Sequence, residues 1–347
     1  MKVHVISETL FVMKATGVHT AFRDHIELLK EKNDVEVVVN DEGSGDIFHG
    51  HTYGLYYLWK GRKYKGRRVF TAHVIPDSIK GSLPFWWAFM PFIKLGLKIV
   101  YSYADVCIAI SPMVEKAIIQ TGAKTKIVRI YNPINIDIWK RTPENRIKGR
   151  KMLGLSENEF VVLGVGQLTG RKGVEDFLDI SQAFPEIKFV WAGGRPFGKL
   201  TEGIKRIDER FSAAGKNVLS TGEIDLEDMP LIYAASDLML FPSYQENCPL
   251  APMEAAACGM PVIYRDIEEY RTLYENPYLK ARSTAEFISL TRKLINDKQF
   301  YNEGLKISEQ LLTQFDKDII REKLINVYKS LLNTWQTSVA LRASYIS

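Results

Sequence analysis

The residues best suited to chemistry lie in the segment FPSYQENCPLAPMEAAACGMPVI, which carries Glu246 and Glu254 eight residues apart. Pro249 and Pro252 suit the first turn of a helix, because a proline needs no backbone N–H there. The run MEAAACG then supplies good helix formers and a glycine stop at Gly259. Free N–H groups at a helix start attract phosphate, and carboxylates on either side can accept hydrogen bonds from sugar hydroxyls. The segment therefore predicts a site for a nucleotide sugar.

Two cationic residues are expected to form part of the same site as these carboxylates. Arg171 and Lys172 stand in VGQLTGRKGVEDFL just past an apolar strand, in a loop that Gly166, Gly170 and Gly173 open. A diphosphate leaving group needs positive charge as its glycosidic bond breaks. We expect these two side chains to supply that charge, although such a pair can also be an ordinary solvated one.

The elements that must position these residues alternate between strand and helix in both halves of the chain. Such alternation predicts two doubly wound α/β domains with parallel sheets, whose ligand sites lie at the strand ends. We place the N-terminal domain at residues 1–141, joined by 318–347, and the C-terminal domain at 142–317. The polar stretch KRTPENRIKGRK, from Lys140 to Lys151, has no apolar period and is expected to link them. The last amphipathic helices, from about Lys317, are expected to cross back to the first domain.

Composition sets the class of protein. The chain has 347 residues, of which 46% are hydrophobic and 25% charged, as in a soluble globular enzyme. Its three cysteines are scattered, and MKVHVI at the N-terminus reads as a strand and not as a signal sequence, so we expect a cytoplasmic location. No apolar run reaches the roughly 18 to 20 residues that a spanning helix requires.

The positive charge is concentrated in one region. Between Leu58 and Lys98 there are nine basic residues and one acid, Asp77, whereas the rest of the chain is net negative. The apolar, aromatic stretch LPFWWAFMPFIKLGLKIVY carries Lys94 and Lys98 one helical turn apart. A helix of this kind can lie in the interface of an anionic membrane. The alternative for this aromatic stretch is a buried core helix. The basic stretch KGRKYKGRR by itself could be a solvated face, or a nucleic-acid patch, for which no supporting motif is present.

Taken together, the motifs resemble those of the family 4 retaining glycosyltransferases. The resemblance rests on the Glu246 to Glu254 segment, on VGQLTGRKGVEDFL, on IYNPINIDIW (Ile130 to Trp139) and on ATGVHTAFRDHIELL (Ala15 to Leu29), in the same order and spacing. It implies the GT-B fold, in which two Rossmann-like domains face a cleft. Within the family, ENCPLAPMEAA and the basic, aromatic stretch are most similar to bacterial enzymes that extend glycosyl diacylglycerols.

The resemblance assigns roles in the C-terminal domain. Glu254 should bind the ribose hydroxyls, and Glu246 should face the donor sugar. The backbone of the following residues should face the sugar and phosphate, namely Asn247, Cys248, Pro249 and Leu250. Gly222 and Ile224, within Gly222 to Leu226, should hold the base. Many relatives carry an arginine where this chain has Gln167, which leaves the role of Gln167 open and gives Lys172 more weight.

Two residues of the N-terminal domain are further candidates, Gly17 from its place in the loop after the first strand and His73 from the resemblance. Gly17 would let the backbone approach phosphate closely, unless it merely begins a helix. His73, in TAHVIPD at the end of an apolar strand, would lie beside the transferred sugar, unless it is a satisfied structural histidine. His49 and His51 are weaker candidates for lining the acceptor pocket, and Asp105 is expected to be structural.

The implied reaction is transfer of a hexose, from UDP-glucose or UDP-galactose, to a glycolipid such as monoglucosyl diacylglycerol with retention of configuration. Retention without a carboxylate nucleophile is the family's pattern, so Glu246 and Glu254 are expected to be binding groups. Cationic side chains and helix dipole, with no metal and no cofactor, would carry the phosphate charge. The enzyme would bind peripherally at the inner face of the cell membrane. The alternatives are a family 4 enzyme acting on a soluble glycan or cell-wall precursor, a UDP-sugar epimerase on the same fold, and a catalytically inactive sensor.

Overall fold

The computed structural model describes residues 1–10, 17–41, 43–52, 54–79, 86–195 and 203–344. The chain divides into two compact units. The N-terminal unit comprises Met1–Pro76, Met90–Pro133 and Phe315–Ser347, and the C-terminal unit comprises Asp77–Phe89 and Ile134–Gln314. The division therefore differs from the predicted boundaries: residues 77–89 and 134–141 belong to the C-terminal unit and residues 315–317 to the N-terminal unit.

Every paired strand runs parallel to its neighbours, in two sheets of six. The strands are β1 (Lys2–Ile6), β2 (Glu36–Val39), β3 (Ile47–Gly50), β4 (Arg67–Ala72), β5 (Val106–Ala109), β6 (Lys126–Arg129), β7 (Val161–Val165), β8 (Lys188–Ala192), β9 (Val218–Gly222), β10 (Leu238–Phe241), β11 (Val262–Arg265) and β12 (Leu279–Ala281).

The helices connect these strands. They are α1 (Gly17–Lys30), α2 (Leu55–Gly61), α3 (Trp86–Tyr103), α4 (Pro112–Gln120), α5 (Pro143–Met152), α6 (Val174–Ser181), α7 (Ile204–Ser212), α8 (Met229–Ala235), α9 (Ala251–Ala257), α10 (Glu268–Leu273), α11 (Thr284–Asn296), α12 (Lys298–Leu312) and α13 (Lys317–Ser344). The predicted alternation of strand and helix in two halves is confirmed.

The order of the strands fixes where each sheet can hold a ligand. The N-terminal sheet has the order β2-β1-β3-β4-β5-β6, and the C-terminal sheet has the order β12-β11-β10-β7-β8-β9. The direction of winding reverses between β1 and β3 in the first sheet and between β7 and β10 in the second. In open α/β sheets, ligands bind beyond the carboxyl ends of the strands at such a reversal.

Burial follows from the sequences of the strands. The inner strands β3, β5, β10 and β11 are buried along their whole length, whereas the edge strands β2 and β6 are partly exposed. Strands covered by helices on both faces need apolar residues on both faces, which is why VCIA and LMLF are continuous apolar runs.

The C-terminal helix α13 completes the core of the N-terminal unit, as the sequence predicts. Ile320, Leu324 and Tyr328 are buried in the same cluster as Val3 of β1 and Phe22 of α1. The chain thus returns to its first domain after the second sheet is complete.

The prediction of a linker at residues 140–151 is wrong, because most of that stretch is helix α5 in the C-terminal unit. The Thr142 side chain caps its start by accepting a hydrogen bond from the Asn145 N–H, and Pro143 occupies the first turn. Arg146 and Arg150 then donate to the carboxylate of Asp237, at 2.9 Å each. These ion pairs hold the helix in place, and the periodicity of apolar residues in the sequence gives no indication of them.

The sequence prediction also missed α2, β12 and the helices α10 to α12. Two of the missed helices have ordinary N-caps: the Ser283 side chain accepts from the Glu286 N–H at the start of α11, and the Asp297 side chain from the Phe300 N–H at the start of α12. These caps are the signals that could have located them.

Candidate functional site

The candidate donor site lies where the winding of the C-terminal sheet reverses. Strands β7 and β10 are direct neighbours there, paired through Leu238 with Val162 and Met239 with Leu163. The loop after β7 carries Arg171 and Lys172, and the loop after β10 carries Glu246. The order of the strands therefore brings together loops that are about 75 residues apart in the chain.

A glycine sets the path of the first loop. Residues Gly170–Lys172 form one turn of 3-10 helix, and Gly173 ends it with a φ of 70°. A Cβ at Gly173 would lie 2.3 Å from the carbonyl oxygen of Pro242, which follows β10. Only glycine fits this backbone and this approach, so the two loops can meet closely.

Lys172 and Glu246 form a buried ion pair at this point. The Lys172 Nζ lies 2.5 Å from the Glu246 Oε1, and the two side chains are 15% and 8% exposed. Burial raises the pKa of Glu246, but the charges of Lys172 and Arg171 outweigh it and hold the pKa below its usual value. Burial lowers the pKa of Lys172, against the attraction of Glu246. The carboxylate therefore keeps the ammonium in a dry site, where it can meet an anionic ligand.

Arg171 connects the same two loops. Its Nη1 donates to the backbone oxygen of Gln245 at 2.8 Å and to the side-chain oxygen of Gln245 at 3.2 Å. The Tyr244 N–H in turn donates to the backbone oxygen of Arg171 at 2.8 Å. Both predicted cations therefore contact the loop after β10, with Arg171 next to Gln245 and Lys172 next to Glu246. Sequence reasoning missed Gln245, for which no motif gave a signal.

Glu254 is placed by helix α9 and held by a tyrosine. The helix begins at Ala251, with Pro252 in its first turn, and Gly259 follows its end with a φ of 69°, as predicted. The Glu254 side chain is buried, and its Oε2 accepts from the Tyr233 hydroxyl at 2.5 Å. Tyr233 is a second residue that the sequence did not single out. It orients the carboxylate that the resemblance assigns to the ribose.

The residues between Glu246 and α9 form a tight connection. The Asn247 side chain accepts from the Gln245 Nε2 at 3.0 Å and donates to the Ser78 Oγ at 2.9 Å, within the C-terminal unit. Cys248 and Leu250 are buried, and the Leu250 carbonyl accepts from the Glu254 N–H. Pro249 is half-buried and precedes α9, so the prediction that it stands in the first turn of that helix is wrong. The role of these four residues toward phosphate or sugar stays a prediction.

The remaining predicted donor residues lie beside β8 and β9. Gln167 is half-buried and follows Gly166, whose carbonyl accepts from the Trp191 Nε1 at 2.9 Å. Gly222 ends β9 with a φ of 71°, and its carbonyl accepts from the Gly193 N–H. Ile224 is half-buried in the following loop. The structure describes these positions, and their role toward a nucleotide stays a prediction.

His73 lies in the N-terminal unit directly after β4 and is buried. Its Nε2 is 3.0 Å from the Nδ1 of His51, which follows β3. Burial lowers the pKa of His73 to about 4, so the ring is neutral at neutral pH. His51 and His49 are both buried next to it, and a cavity has His51 and His73 in its wall.

Gly17 is the first residue of α1 and is exposed, with open space where a Cβ would be. It therefore begins the helix, and the residues directly before it lie outside those that the structure describes.

Asp105 accepts from the Arg68 backbone N–H at 2.8 Å and pairs with Arg67, which fits the structural role expected for it. The sequence contains an Asp-x-Asp triplet, Asp316-Lys317-Asp318, so the expectation of a metal-free site cannot be based on the absence of one. Here the Asp316 carboxylate caps the start of α13.

Helix α3 carries large apolar side chains that are exposed in the described part of the structure. Among the described residues its exposed large side chains are Trp87 (65%), Phe89 (59%), Phe92 (75%), Leu95 (57%) and Ile99 (51%). Lys94 and Lys98 are also exposed, whereas Leu97, Val100 and Tyr101 are buried. The alternative of a buried core helix is therefore wrong.

Helix α2 packs beside α3 and adds to this surface. Gly54 lies so close to Val100 that a Cβ would be 2.4 Å from its Cγ1, and the rings of Tyr57 and Tyr103 are 5.5 Å apart. Leu55 and Trp59 on α2 are exposed. In the described part of the chain, no helix combines the length and apolarity needed to cross a bilayer.

Comparison with known proteins identifies two families along the chain. The family described as glycosyl transferases group 1 matches residues 145–303, and glycosyltransferase family 4 matches residues 22–138. The chain is 33% identical to an alpha-galactosylglucosyldiacylglycerol synthase of Streptococcus pneumoniae, over 90% of this chain and 84% of that protein. It is 28% identical to a processive diacylglycerol alpha-glucosyltransferase of Acholeplasma laidlawii, over 88% and 92%.

Solved structures match the fold of the whole chain. HepE of Anabaena, in complex with UDP and glucose, aligns with a TM-score of 0.75 and 20% identity over 95% of this chain and 100% of that one. The sucrose-phosphate synthase of Thermosynechococcus elongatus aligns with a TM-score of 0.77 and 17% identity over 96% and 100%. At these identities the likeness establishes the fold.

Proposed function

The chain belongs to the family 4 glycosyltransferases and has their GT-B fold, and from this premise we propose that it extends a membrane glycolipid. It transfers a hexose from a UDP-sugar to a glycosyl diacylglycerol such as monoglucosyl diacylglycerol, with retention, and so forms an α-linked diglycosyl diacylglycerol. The proposal for the donor rests on the buried Lys172–Glu246 pair beside Arg171. This pair lies where the winding of the C-terminal sheet reverses, between β7 and β10.

The donor is held by the C-terminal unit. The diphosphate lies against Lys172 and Arg171, and the ribose hydroxyls donate to Glu254, which Tyr233 keeps in one orientation. Glu246 faces the sugar and accepts from its hydroxyls. The HepE structure, which is described with UDP and glucose, supports a UDP-sugar as the donor.

The reaction depends on positive charge at the leaving group and uses no side chain of the enzyme as a nucleophile. As the bond from C1 to the diphosphate oxygen breaks, negative charge grows on the UDP, and preorganised cations in a dry site stabilise it strongly. The acceptor hydroxyl attacks C1 from the face that UDP leaves, through an oxocarbenium-like state. Its proton passes to the departing phosphate oxygen. Glu246 stays ionised, because its lowered pKa keeps the proton off. Lys172 and Arg171 carry the phosphate charge without a metal ion.

The names of two relatives support a lipid acceptor. One is an alpha-galactosylglucosyldiacylglycerol synthase and the other a processive diacylglycerol alpha-glucosyltransferase, and each aligns over most of this chain. The acceptor is assigned to the N-terminal unit, where His73 lies at the end of β4 beside a cavity.

The exposed face of α3 supports contact with a membrane. Single exposed apolar residues are normal, but five large ones on one helix beside Lys94 and Lys98 are typical of an interfacial segment. The lysines are attracted to anionic lipid by about 1 kcal/mol each. The protein thus binds peripherally, and this contact brings it to an acceptor that is itself in the bilayer.

A matrix of donors and acceptors tests the proposal. UDP-glucose, UDP-galactose and GDP-mannose are each incubated with diacylglycerol vesicles, monoglucosyl diacylglycerol vesicles, a soluble oligosaccharide, or no acceptor, and products are read by mass spectrometry. We expect a dihexosyl diacylglycerol from a UDP-hexose with the monoglucosyl lipid. Transfer to the soluble acceptor alone would favour a soluble glycan as substrate, and conversion of the UDP-sugar without any acceptor would favour an epimerase; either result would overturn the proposal.

A further inference from the structure

The histidines of this chain are distributed unusually. The chain has six, and all of them are buried in the N-terminal unit: His4, His19, His25, His49, His51 and His73. Four of the rings, those of His25, His49, His51 and His73, pack against one another, and we refer to them as the histidine cluster. The proposed reaction uses only one member of this cluster.

Three of these rings converge. The ring centroids of His25, His49 and His51 are 4.6 Å apart in every pair. One ring nitrogen from each lies within 4.8 Å of the other two. His73 stacks on the outer side of His51, at 5.3 Å. Packing alone does not require three imidazoles to bring their nitrogens together.

From this geometry we propose that His25, His49 and His51 form a buried binding site for a divalent transition-metal ion such as Zn²⁺. Imidazole nitrogen is a preferred ligand of Zn²⁺, and three histidines with one open position make a known type of site. At Zn–N distances of about 2.0–2.1 Å the ligand nitrogens are about 3.3 Å apart, so small ring rotations close the site.

An unpaired buried atom adds support for a ligand here. The Nε2 of His51 has no hydrogen-bond partner among the described residues, although the side chain is 1% exposed. Both ring nitrogens of His4 are also without a partner, so the unpaired nitrogen of His51 supports a ligand only together with its approach to His25 and His49. A bound metal ion would complete the coordination of this nitrogen.

Groups that orient metal-bound histidines are already in place. The His49 Nε2 lies 2.7 Å from the Thr71 Oγ1, and the His51 Nδ1 lies 3.0 Å from the His73 Nε2. If each ring donates its N–H in these contacts, the opposite nitrogen of each carries the lone pair that a metal needs.

The Tyr328 hydroxyl marks the position that the ion would take. It lies 2.5 Å from the His49 Nδ1 and 3.3 Å from the His25 Nε2, so these two nitrogens already point at one atom. An ion bound by these nitrogens would have to displace the Tyr328 hydroxyl or take it as a ligand, because both cannot occupy one position. The cavity of the N-terminal unit has His25 and His51 in its wall.

Metal binding by the full-length protein tests the proposal without reference to transferase activity. The protein is freed of metal with a chelator, dialysed and titrated with Zn²⁺ against a chromophoric indicator. Co²⁺ is added in parallel, because its visible absorption reports four-coordinate geometry. We expect one Zn²⁺ per chain, an intense Co²⁺ band, and loss of binding by about 100-fold or more in His51→Gln. His4→Gln is the matched control, since His4 is equally buried but packs against Tyr64 outside the cluster.

A second pair of variants keeps the test valid if His51→Gln does not fold. Thr71→Val removes the hydroxyl that orients His49 and should weaken Zn²⁺ binding about tenfold, whereas Thr71→Ser keeps the hydroxyl and should bind as the unaltered protein does. Failure of the unaltered protein to bind Zn²⁺ would overturn the proposal. Equal losses in His4→Gln and His51→Gln, or an octahedral Co²⁺ spectrum, would overturn it as well.

Discussion

Replacing Lys172 by Met tests whether this lysine acts on the leaving group or only neutralises Glu246. The Lys172 Nζ is 2.5 Å from the Glu246 Oε1, and both side chains are almost fully buried. Breaking one side of a buried ion pair leaves an uncompensated charge and costs about 3–5 kcal/mol of the free energy of unfolding. We expect the low end of that range, because Arg171 also stabilises the Glu246 carboxylate. Loss of a preorganised charge at the transition state should lower kcat by about 10²–10³-fold.

A double-mutant cycle separates the two roles. The four proteins are the unaltered enzyme, Lys172→Met, Glu246→Gln, and the double variant, compared by urea unfolding and by kcat with a UDP-hexose and the glycolipid acceptor. In the double variant no buried charge is left unpaired, so most of the lost stability should return. The kcat should stay about 10²-fold below that of Glu246→Gln, since the phosphate still lacks its cation. Equal kcat values for the double variant and Glu246→Gln would refute the reasoning, because Lys172 would then act only through Glu246.

Three further predictions follow from other parts of the molecule. Tyr233→Phe should raise KM for the UDP-sugar about tenfold with little change in kcat, because it removes the 2.5 Å hydrogen bond that orients the Glu254 carboxylate. An unchanged KM would argue against a contact between Glu254 and the ribose. Phe92→Ser should reduce flotation with anionic vesicles, whereas Ile119→Ser, at another exposed apolar position, on α4, should not; equal loss in both would contradict an interfacial α3. Ionised Glu246 contributes to the free energy of unfolding above about pH 4.5, and this contribution is lost as the pH falls through its lowered pKa. Glu246→Gln should therefore flatten the acid side of a plot of the free energy of unfolding against pH. An unaltered acid side would contradict the pairing of Glu246 with Lys172.

The fold could be predicted well where periodicity and strand ends are clear. Apolar runs such as LMLF and VCIA give the strands, and glycines such as Gly173 and Gly259 give the loop and the helix end, because few other residues tolerate a positive φ. Helix α5 has a local start signal in Thr142 and Pro143 but lacks an apolar period. Its stability depends on arginines that bind Asp237, about 90 residues away, and no local pattern encodes such a partner.

The same limit applies to the site. The sequence indicated Lys172 and Glu246 as separate candidates, and only the pairing of β7 with β10 makes them a single buried pair. The roles of Tyr233 and Gln245 have no sequence signal, since each is a common polar residue whose importance depends on what it touches. For the histidine cluster, FHGHTYG suggested a pocket lining, but the contribution of His25 from α1 requires the fold.

The most direct test of the central claim is the stereochemistry of the lipid product. The protein is incubated with a ¹³C-labelled UDP-hexose and monoglucosyl diacylglycerol in anionic vesicles, with excess chelator present, and the extracted lipid is examined by mass spectrometry and NMR. The account predicts a dihexosyl diacylglycerol whose labelled sugar is α-linked, formed at an undiminished rate in chelator. A β-linked product, a strict need for added metal ion, or label that never reaches lipid would contradict it.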